Sequence, residues 1–218
     1  MIALALEFSS DRRSVAVGRA GELLAEVTHH GTVNTPVFAL IAEALRQASM
    51  AREEVGQLVV GVGPGSYTGV RIAISAAQGW QLATGATCVG VNSLENLARS
   101  VTTRTLLAVD AQRGEFASAW AEAGRLVEPV RLRTKDELMS GLGQGDLIAG
   151  PDLDRLVPGA QMLFPTAAGA LALALHTEAV PAEALVPVYL REASFVKAAP
   201  TRGVIRLQPA DAAPTACP

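Results

Sequence analysis

Leu4-Ala-Leu-Glu7 closes an apolar run at the start of the chain, and Leu107-Ala-Val-Asp110 closes a second one near its middle. A short apolar run bounded by polar residues reads as a buried strand. The echo continues at a single offset with no insertion: Ala16 matches Ala119, Ala20-Gly21 matches Ala123-Gly124, and Leu23-Leu24 matches Leu126-Val127. Each half thus opens with a strand ending in a carboxylate, followed by a hairpin through Ala-Gly and a third strand. Two related α/β lobes, residues 1–100 and 101–200, are the economical reading, with 201–218 a loose Pro/Ala-rich tail. Two unrelated generic hairpins would give the same echo, and the repeat alone does not separate these readings.

Working outward, strands are expected over Ile2–Leu6, Ser14–Val17 and Glu22–Thr28, an antiparallel meander turned by Gly18-Arg-Ala-Gly21. Val37, Leu40, Ile41, Ala44, Leu45 and Ala48 recur at the spacing that stripes one face of a helix, and Pro36 sits where a first-turn proline is tolerated. A strand over Leu58–Val62, a helix over Val70–Thr84, a strand over Thr87–Val91 and a short helix over Ser93–Arg99, capped by Ser93, complete the order βββαβαβα. In the second half Asp146–Ala149 reads as a strand and Ala167–His176 as a short apolar helix.

The duplicated lobe with an acid closing its first strand looks like the superfamily of actin, sugar kinases and heat-shock ATPases. That likeness implies tandem actin-like, ribonuclease H-like lobes of mixed sheets flanked by helices. It also implies that Glu7 and Asp110 face each other across a cleft that holds a nucleotide between glycine-containing hairpins. The first hairpin, Phe8-Ser-Ser-Asp-Arg-Arg-Ser14, has no glycine, and only the second keeps one, Gly114. Both acids merely ending their strands is the equal alternative. Weak nucleotide or anion contacts are therefore expected at most from Glu7, Ser9, Ser66, Thr68, Asp110 and Gly114.

The glycine-rich run Val59–Trp80, VVGVGPGSYTGVRIAISAAQGW, fails the named phosphate motifs. Val70 stands where a P-loop needs lysine, Ser66 and Thr68 occupy the third-glycine positions of a dinucleotide fingerprint, and no second glycine completes a nucleophile elbow after Ser66. What survives is a tight turn through Gly63-Pro-Gly65, with Ser66 or Thr68 capping a helix that starts near Gly69. Such an end attracts an anion by only about 0.3–1 kcal/mol.

The helix after the loop carries small residues around most of its circumference, with Gly69, Ala73, Ala76 and Ala77 beside the bulkier Ile72 and Trp80. The preceding helix also wraps its apolar surface beyond one stripe, through Val37, Phe38, Ile41 and Leu45. Either both helices are sandwiched within their own lobe, or these ten residues present a surface to another chain; the second reading accounts for apolar residues on nearly all faces.

Gly63-Pro-Gly-Ser-Tyr-Thr-Gly-Val-Arg71 with Ala77-Gln-Gly79 resembles the hallmark run of the bacterial TsaB (YeaZ) family. Val91-Asn-Ser-Leu94, Val109-Asp-Ala-Gln-Arg-Gly-Glu115 and Val186-Pro-Val-Tyr-Leu-Arg191 agree in order, so the resemblance spans residues 2–197. It implies a subunit of tRNA threonylcarbamoyladenosine synthesis that does not itself transfer the group. Such a subunit pairs with a catalytic TsaD-type subunit through the two helices and works beside a TsaE-type ATPase and the enzyme that makes the adenylate. It reaches tRNA only through the complex; for the chain alone, a homodimer through the same surface and a monomer both stay open. Two departures stand out: Glu7-Phe-Ser9 replaces the family's Asp-Thr-Ser, and Asn34-Thr35 replaces a His-Ser pair. They bear on nucleotide or metal contacts, leaving weak ATP or ADP binding at a lobe or subunit interface as the most to expect.

Composition agrees with that role. The chain has 218 residues, half of them apolar, and a net charge of −3, so any contact with RNA needs a basic partner. Cys88 and Cys217 fit neither a disulfide framework nor a zinc motif, which favours a reducing cytoplasm. No export signal or membrane span is legible. His29, His30 and His176 lack the four-residue spacing by which the catalytic relative holds metal, so no metal site and no catalytic residue are expected. The rival functions are a hydrolase or peptidase, which lacks an evident nucleophile and base, and a self-sufficient ATPase, disfavoured by the glycine-free first hairpin.

Overall fold

In the computed structural model, which describes residues 1–31 and 35–191, the echoed halves become two sheets of one plan. Asn34 and the expected tail lie outside the described residues. β1 (Ile2–Glu7) pairs antiparallel with β2 (Arg12–Arg19), and β2 with β3 (Glu22–His30). β4 (Val55–Gly61) and β5 (Thr87–Val91) add in parallel beyond β1, giving the order β3-β2-β1-β4-β5. The second sheet comprises β6 (Thr105–Asp110), β7 (Glu115–Glu122), β8 (Arg125–Leu126), β10 (Leu147–Gly150) and β11 (Gln161–Met162), ordered β11-β10-β6-β7-β8. β9 (Arg131–Thr134) also pairs with β7.

The two Ala-Gly turns carry the repeat into the backbone. Ala20 and Gly21 have φ of 49° and 89°, and Ala123 and Gly124 have 50° and 78°. Positive φ at both central residues matches the twist of a tight hairpin, at the cost of placing an alanine in the left-handed region. The pairing differs by one step. Leu4 pairs with Val17, whereas Leu107 pairs with Ala119: the last paired residues are Glu7 with Ser14 in the first hairpin and Asp110 with Phe116 in the second, so the second closes one residue sooner. That slip pairs Trp120 with Leu106, on the face covered by Leu138 of α4 (Lys135–Ser140).

Residue size sorts the two faces of the first sheet. Leu4, Leu6, Val15, Val17, Leu58 and Val60 point toward α1 (Val37–Gln47) and α2 (Tyr67–Thr84). The small Ala5 and Ala16 point the other way and let α5 (Ala167–Ala174) settle closely through Ala167, Ala170 and Ala174. Each large aliphatic side chain removed from water contributes about 1.5–3 kcal/mol. Meanwhile α3 (Ser93–Ala98) inserts Leu94 and Leu97 against Leu107, Val109 and Ala119 of the second sheet. The division expected at residue 100 therefore separates the strands of the two sheets but not the helices. α3, from the first half, is buried on the second sheet, and α5, from the second half, on the first.

Two helix starts correct the sequence reading. α2 begins at Tyr67 rather than Val70, because the Ser66 hydroxyl accepts the Gly69 N–H at 3.3 Å. α3 is capped by Asn92, whose side-chain oxygen accepts the N–H groups of Leu94 at 2.8 Å and Glu95 at 3.3 Å. Ser93, the expected cap, turns its hydroxyl into the interior instead.

Candidate partner-docking face

Glu7 ends β1 as expected, yet it does not look into an open cleft. It is 1% exposed, and its carboxylate accepts the Ser9 N–H at 3.0 Å, the Asn96 Nδ2 at 3.0 Å and the Ser93 hydroxyl, which lies 3.1 Å from both oxygens. Ser93 Oγ in turn accepts the Gly63 N–H at 3.2 Å, and Asn96 Nδ2 also reaches the Thr166 carbonyl at 2.8 Å. The acid thus ties the end of β1 to α3, to the glycine loop and to the cap of α5. Burial pushes its pKa above the ordinary 4.5, against the lowering effect of its hydrogen bonds to Ser9, Asn96 and Ser93. This corrects the expectation that Glu7 and Ser9 meet a nucleotide: both are interior, and the carboxylate's acceptors are spent on the protein's own donors.

The glycine loop has a structural reading of the same kind. Ser66 N–H donates to the Ser9 carbonyl at 2.7 Å, so the β1–β2 turn rests on the N-terminus of α2, where a phosphate would otherwise sit. A Cβ on Gly65 would overlap the Ser9 carbonyl oxygen, one on Gly69 the Phe8 carbonyl oxygen, and one on Gly61 the Glu7 carboxylate. Gly65 and Gly69 permit close contact between backbones, and Gly61 makes room for the Glu7 carboxylate. Ser66 is consumed as the cap, and Thr68 is exposed at the start of α2.

Asp110 and Gly114 stand apart from Glu7, in the turn after β6. Asp110 accepts the Gln112 N–H at 2.7 Å and Gln112 Nε2 at 3.1 Å, and Gln112, Arg113 and Gly114 all have positive φ, at 65°, 61° and 77°. Arg191 holds this turn, donating to the Gln112 carbonyl at 2.8 Å and pairing with Glu115. The strap leading to Arg191 is fixed to the first sheet by Val188 N–H on the Val62 carbonyl at 2.9 Å. The six expected nucleotide or anion contacts are divided among three places: the interior, the α2 cap and the second hairpin. Among the described residues no group of three or more His, Cys, Asp or Glu could hold a metal ion.

The ten expected docking residues also divide. Ile41, Leu45, Gly69, Ala73, Ala76 and Ala77 are buried in their own lobe, which corrects their assignment to an outer surface; Ala73 and Ala77 have no exposure at all. Ala76 lies at the floor of an open groove of about 490 Å³ between α1 and α2, whose walls include Val37, Phe38 and Ile72. Trp80 is half-buried farther along α2. Phe38 is 66% exposed and Tyr67, at the start of α2, 62%.

Three groove residues escaped the sequence reading: Tyr67, Arg71 and Ser75. Tyr67 and Arg71 were legible only as motif letters, although their four-residue separation places them together once the helix start is known. The Arg71 guanidinium lies 3.9 Å from the centroid of the Tyr67 ring and donates from Nη2 to the Tyr189 hydroxyl at 2.6 Å. The strap therefore touches both the groove, through Tyr189, and the second hairpin, through Arg191.

Two sheets of the same meander-plus-parallel plan, each backed by helices, define a two-lobed protein of the actin-like, ribonuclease H-like class. A family profile described as "TsaD: tRNA N6-adenosine threonylcarbamoyltransferase" matches residues 29–136. The tRNA threonylcarbamoyladenosine biosynthesis protein TsaB of Escherichia coli (strain K12) is 29% identical over 86% of this chain and 94% of its own length. An uncharacterized protein of Mycobacterium tuberculosis (strain ATCC 25618 / H37Rv) is 31% identical over 69% of this chain and 71% of its own. The solved structure of YeaZ from Pseudomonas aeruginosa superposes with a TM-score of 0.71 at 25% identity, covering 87% of this chain and 99% of that one. The chain belongs to the TsaB (YeaZ) family.

Proposed function

We propose that the chain is a non-catalytic docking subunit of tRNA threonylcarbamoyladenosine synthesis, pairing with a TsaD-type catalytic subunit through the groove between α1 and α2. The single observation that carries this reading is the groove itself, a contiguous apolar trough between two helices with Phe38 and Tyr67 standing largely in solvent on its walls. Family membership supports the pathway, since the Escherichia coli relative is named for threonylcarbamoyladenosine biosynthesis. The match of residues 29–136 to the TsaD profile supports kinship with the catalytic partner. A first-strand carboxylate sealed by Ser9, Ser93 and Asn96 supports a subunit that leaves nucleotide turnover and group transfer to others. A TsaE-type ATPase, tRNA and a reducing cytoplasm enter with that machinery. Among the described residues no helix is long and apolar enough to cross a membrane.

The groove chooses the test. Ala73 is sealed in the core, so a bulky charge there would disrupt the fold rather than report on docking. Ser75 is exposed and lines the groove. Ser75→Arg is expected to leave the melting temperature within a degree or two and to weaken pairing with the catalytic subunit by at least a hundredfold, through steric overlap and the cost of burying an unpaired charge. Isothermal titration of the two purified subunits reads it. Pairing at wild-type affinity would sink the reading.

A further inference from the structure

The groove is apolar along its length and charged at one place. Arg71 is exposed beside Tyr67, and the ring beneath it and the Tyr189 hydroxyl beside it hold the guanidinium in a fixed pose. Both of those partners are neutral. Among the described residues no carboxylate forms an ion pair with Arg71. A guanidinium oriented by two aromatic side chains, with its charge unmatched, has already given up part of its side-chain freedom and is prepared to receive a planar anion in a forked geometry.

The same face lacks the group that would complete it. α2 contains no acidic residue, and the one acid of α1, Glu43, already accepts Arg46 Nε at 2.8 Å, Arg46 Nη2 at 2.7 Å and Gln47 Nε2 at 2.7 Å. A second copy of the chain applied to this face across a two-fold axis would bring α1 and α2 against α1 and α2, with no free carboxylate for Arg71. Charge complementarity therefore favours a different chain. Small side chains set the manner of approach: Ser75 and Ala76 form part of the groove and Gly79 lies open one turn on, so a helix backbone can come close along α2.

We propose that the occupant is an apolar helix of the partner subunit, lying along α2 and carrying an aspartate or glutamate that forks onto Arg71. This rests on the docking reading above and adds the chemistry of the partner. Arg71 then fixes the register and direction of the incoming helix, while Phe38, Ile72 and Ala76 supply the apolar contact.

The test measures the dissociation constant of the complex with the catalytic subunit at low and high salt. Arg71→Gln is expected to weaken binding about tenfold at low salt and to flatten the salt dependence, and Arg71→Glu to weaken it about a hundredfold. Reversing one acidic residue on the partner's docking helix to arginine is expected to restore most of the affinity of Arg71→Glu. Thermal unfolding of each variant, expected at the wild-type midpoint, separates docking from folding. Unchanged affinity in Arg71→Glu overturns the proposal, as does a loss that no acid-to-arginine reversal on the partner relieves. A self-dimer lost in Arg71→Gln while the heterodimer is untouched assigns the charge to a second copy and also overturns it. If Ser75→Arg leaves pairing intact, the docking reading itself fails. If Ser75→Arg abolishes pairing and Arg71→Gln changes nothing, only the carboxylate partner fails.

Discussion

Glu7→Ala is expected to destabilise the chain by about 3–5 kcal/mol, enough to consume much of the stability of an ordinary domain. The substitution strands the Ser9 N–H, the Asn96 Nδ2 and the Ser93 hydroxyl away from water, each having lost its acceptor in the interior. An unmade buried bond costs about 1–3 kcal/mol. The hydroxyl can rotate to another acceptor, and Asn96 keeps the Thr166 carbonyl, which holds the total below the sum. Glu7→Gln is milder, about 1–3 kcal/mol, because an amide has one acceptor oxygen and must present its NH2 to either Ser9 or Asn96, both donors. Urea unfolding of the variants measures the difference. A stability unchanged in Glu7→Ala would mean that the carboxylate is not the joint between β1, α3 and the glycine loop.

The same acid gives stability a pH dependence with a definite sign. Burial raises its folded-state pKa above the ordinary 4.5, so between that value and the raised one the folded chain holds a proton that the unfolded chain has released. Its contribution is fully present below 4.5 and is lost as pH rises through the folded value. The stability gap between wild type and Glu7→Gln should accordingly be widest in acid and narrow as the pH climbs. A gap that widens toward neutral pH would mean that the donors, and not burial, control the group.

Topology was legible because it is written locally. The strands are apolar runs, the hairpins turn on Ala20-Gly21 and Ala123-Gly124, and the acid at each strand end marks the repeat. The orientation of α2 was not, for a physical reason: a helix whose residues are small and apolar on nearly every side offers no contrast from which to choose an inner face. The structure makes that choice through neighbours distant in sequence, placing Ala73 and Ala77 on the core beneath α1 and leaving Ser75 and Gly79 outside. The fate of Glu7 depends likewise on Ser93 and Asn96, and that of Arg71 on Tyr189, each supplied by a segment that strand and helix patterns cannot bring near. Hence the two helices do border an apolar groove, while six of the ten residues expected on an outer surface, Ile41, Leu45, Gly69, Ala73, Ala76 and Ala77, are buried.

Two glycines of α2, identical as letters, are expected to respond in opposite directions to one added methyl group. Gly69→Ala should destabilise by about 3 kcal/mol or more and leave little folded protein at elevated temperature. Its Cβ would overlap the Phe8 carbonyl oxygen, a backbone atom that cannot rotate aside, so α2 must back away from β1 and surrender the Ser66-to-Ser9 hydrogen bond. Gly79→Ala should instead stabilise by about 0.5–1 kcal/mol, since nothing lies within 4 Å of its Cβ position and alanine restricts the unfolded chain. The thermal midpoints of the two variants decide it. If glycine were present at Gly69 for an incoming phosphate, the alanine variant would fold normally in the absence of any ligand. A drop in its midpoint of many degrees, beside a rise for Gly79→Ala, identifies the glycine loop as the seat of the β1–β2 turn. Gly79 is exposed one turn beyond Ser75, so if a partner helix lies along α2 as proposed, the variant that gains stability alone should lose affinity in the complex. Only a surface kept smooth for another chain predicts that trade.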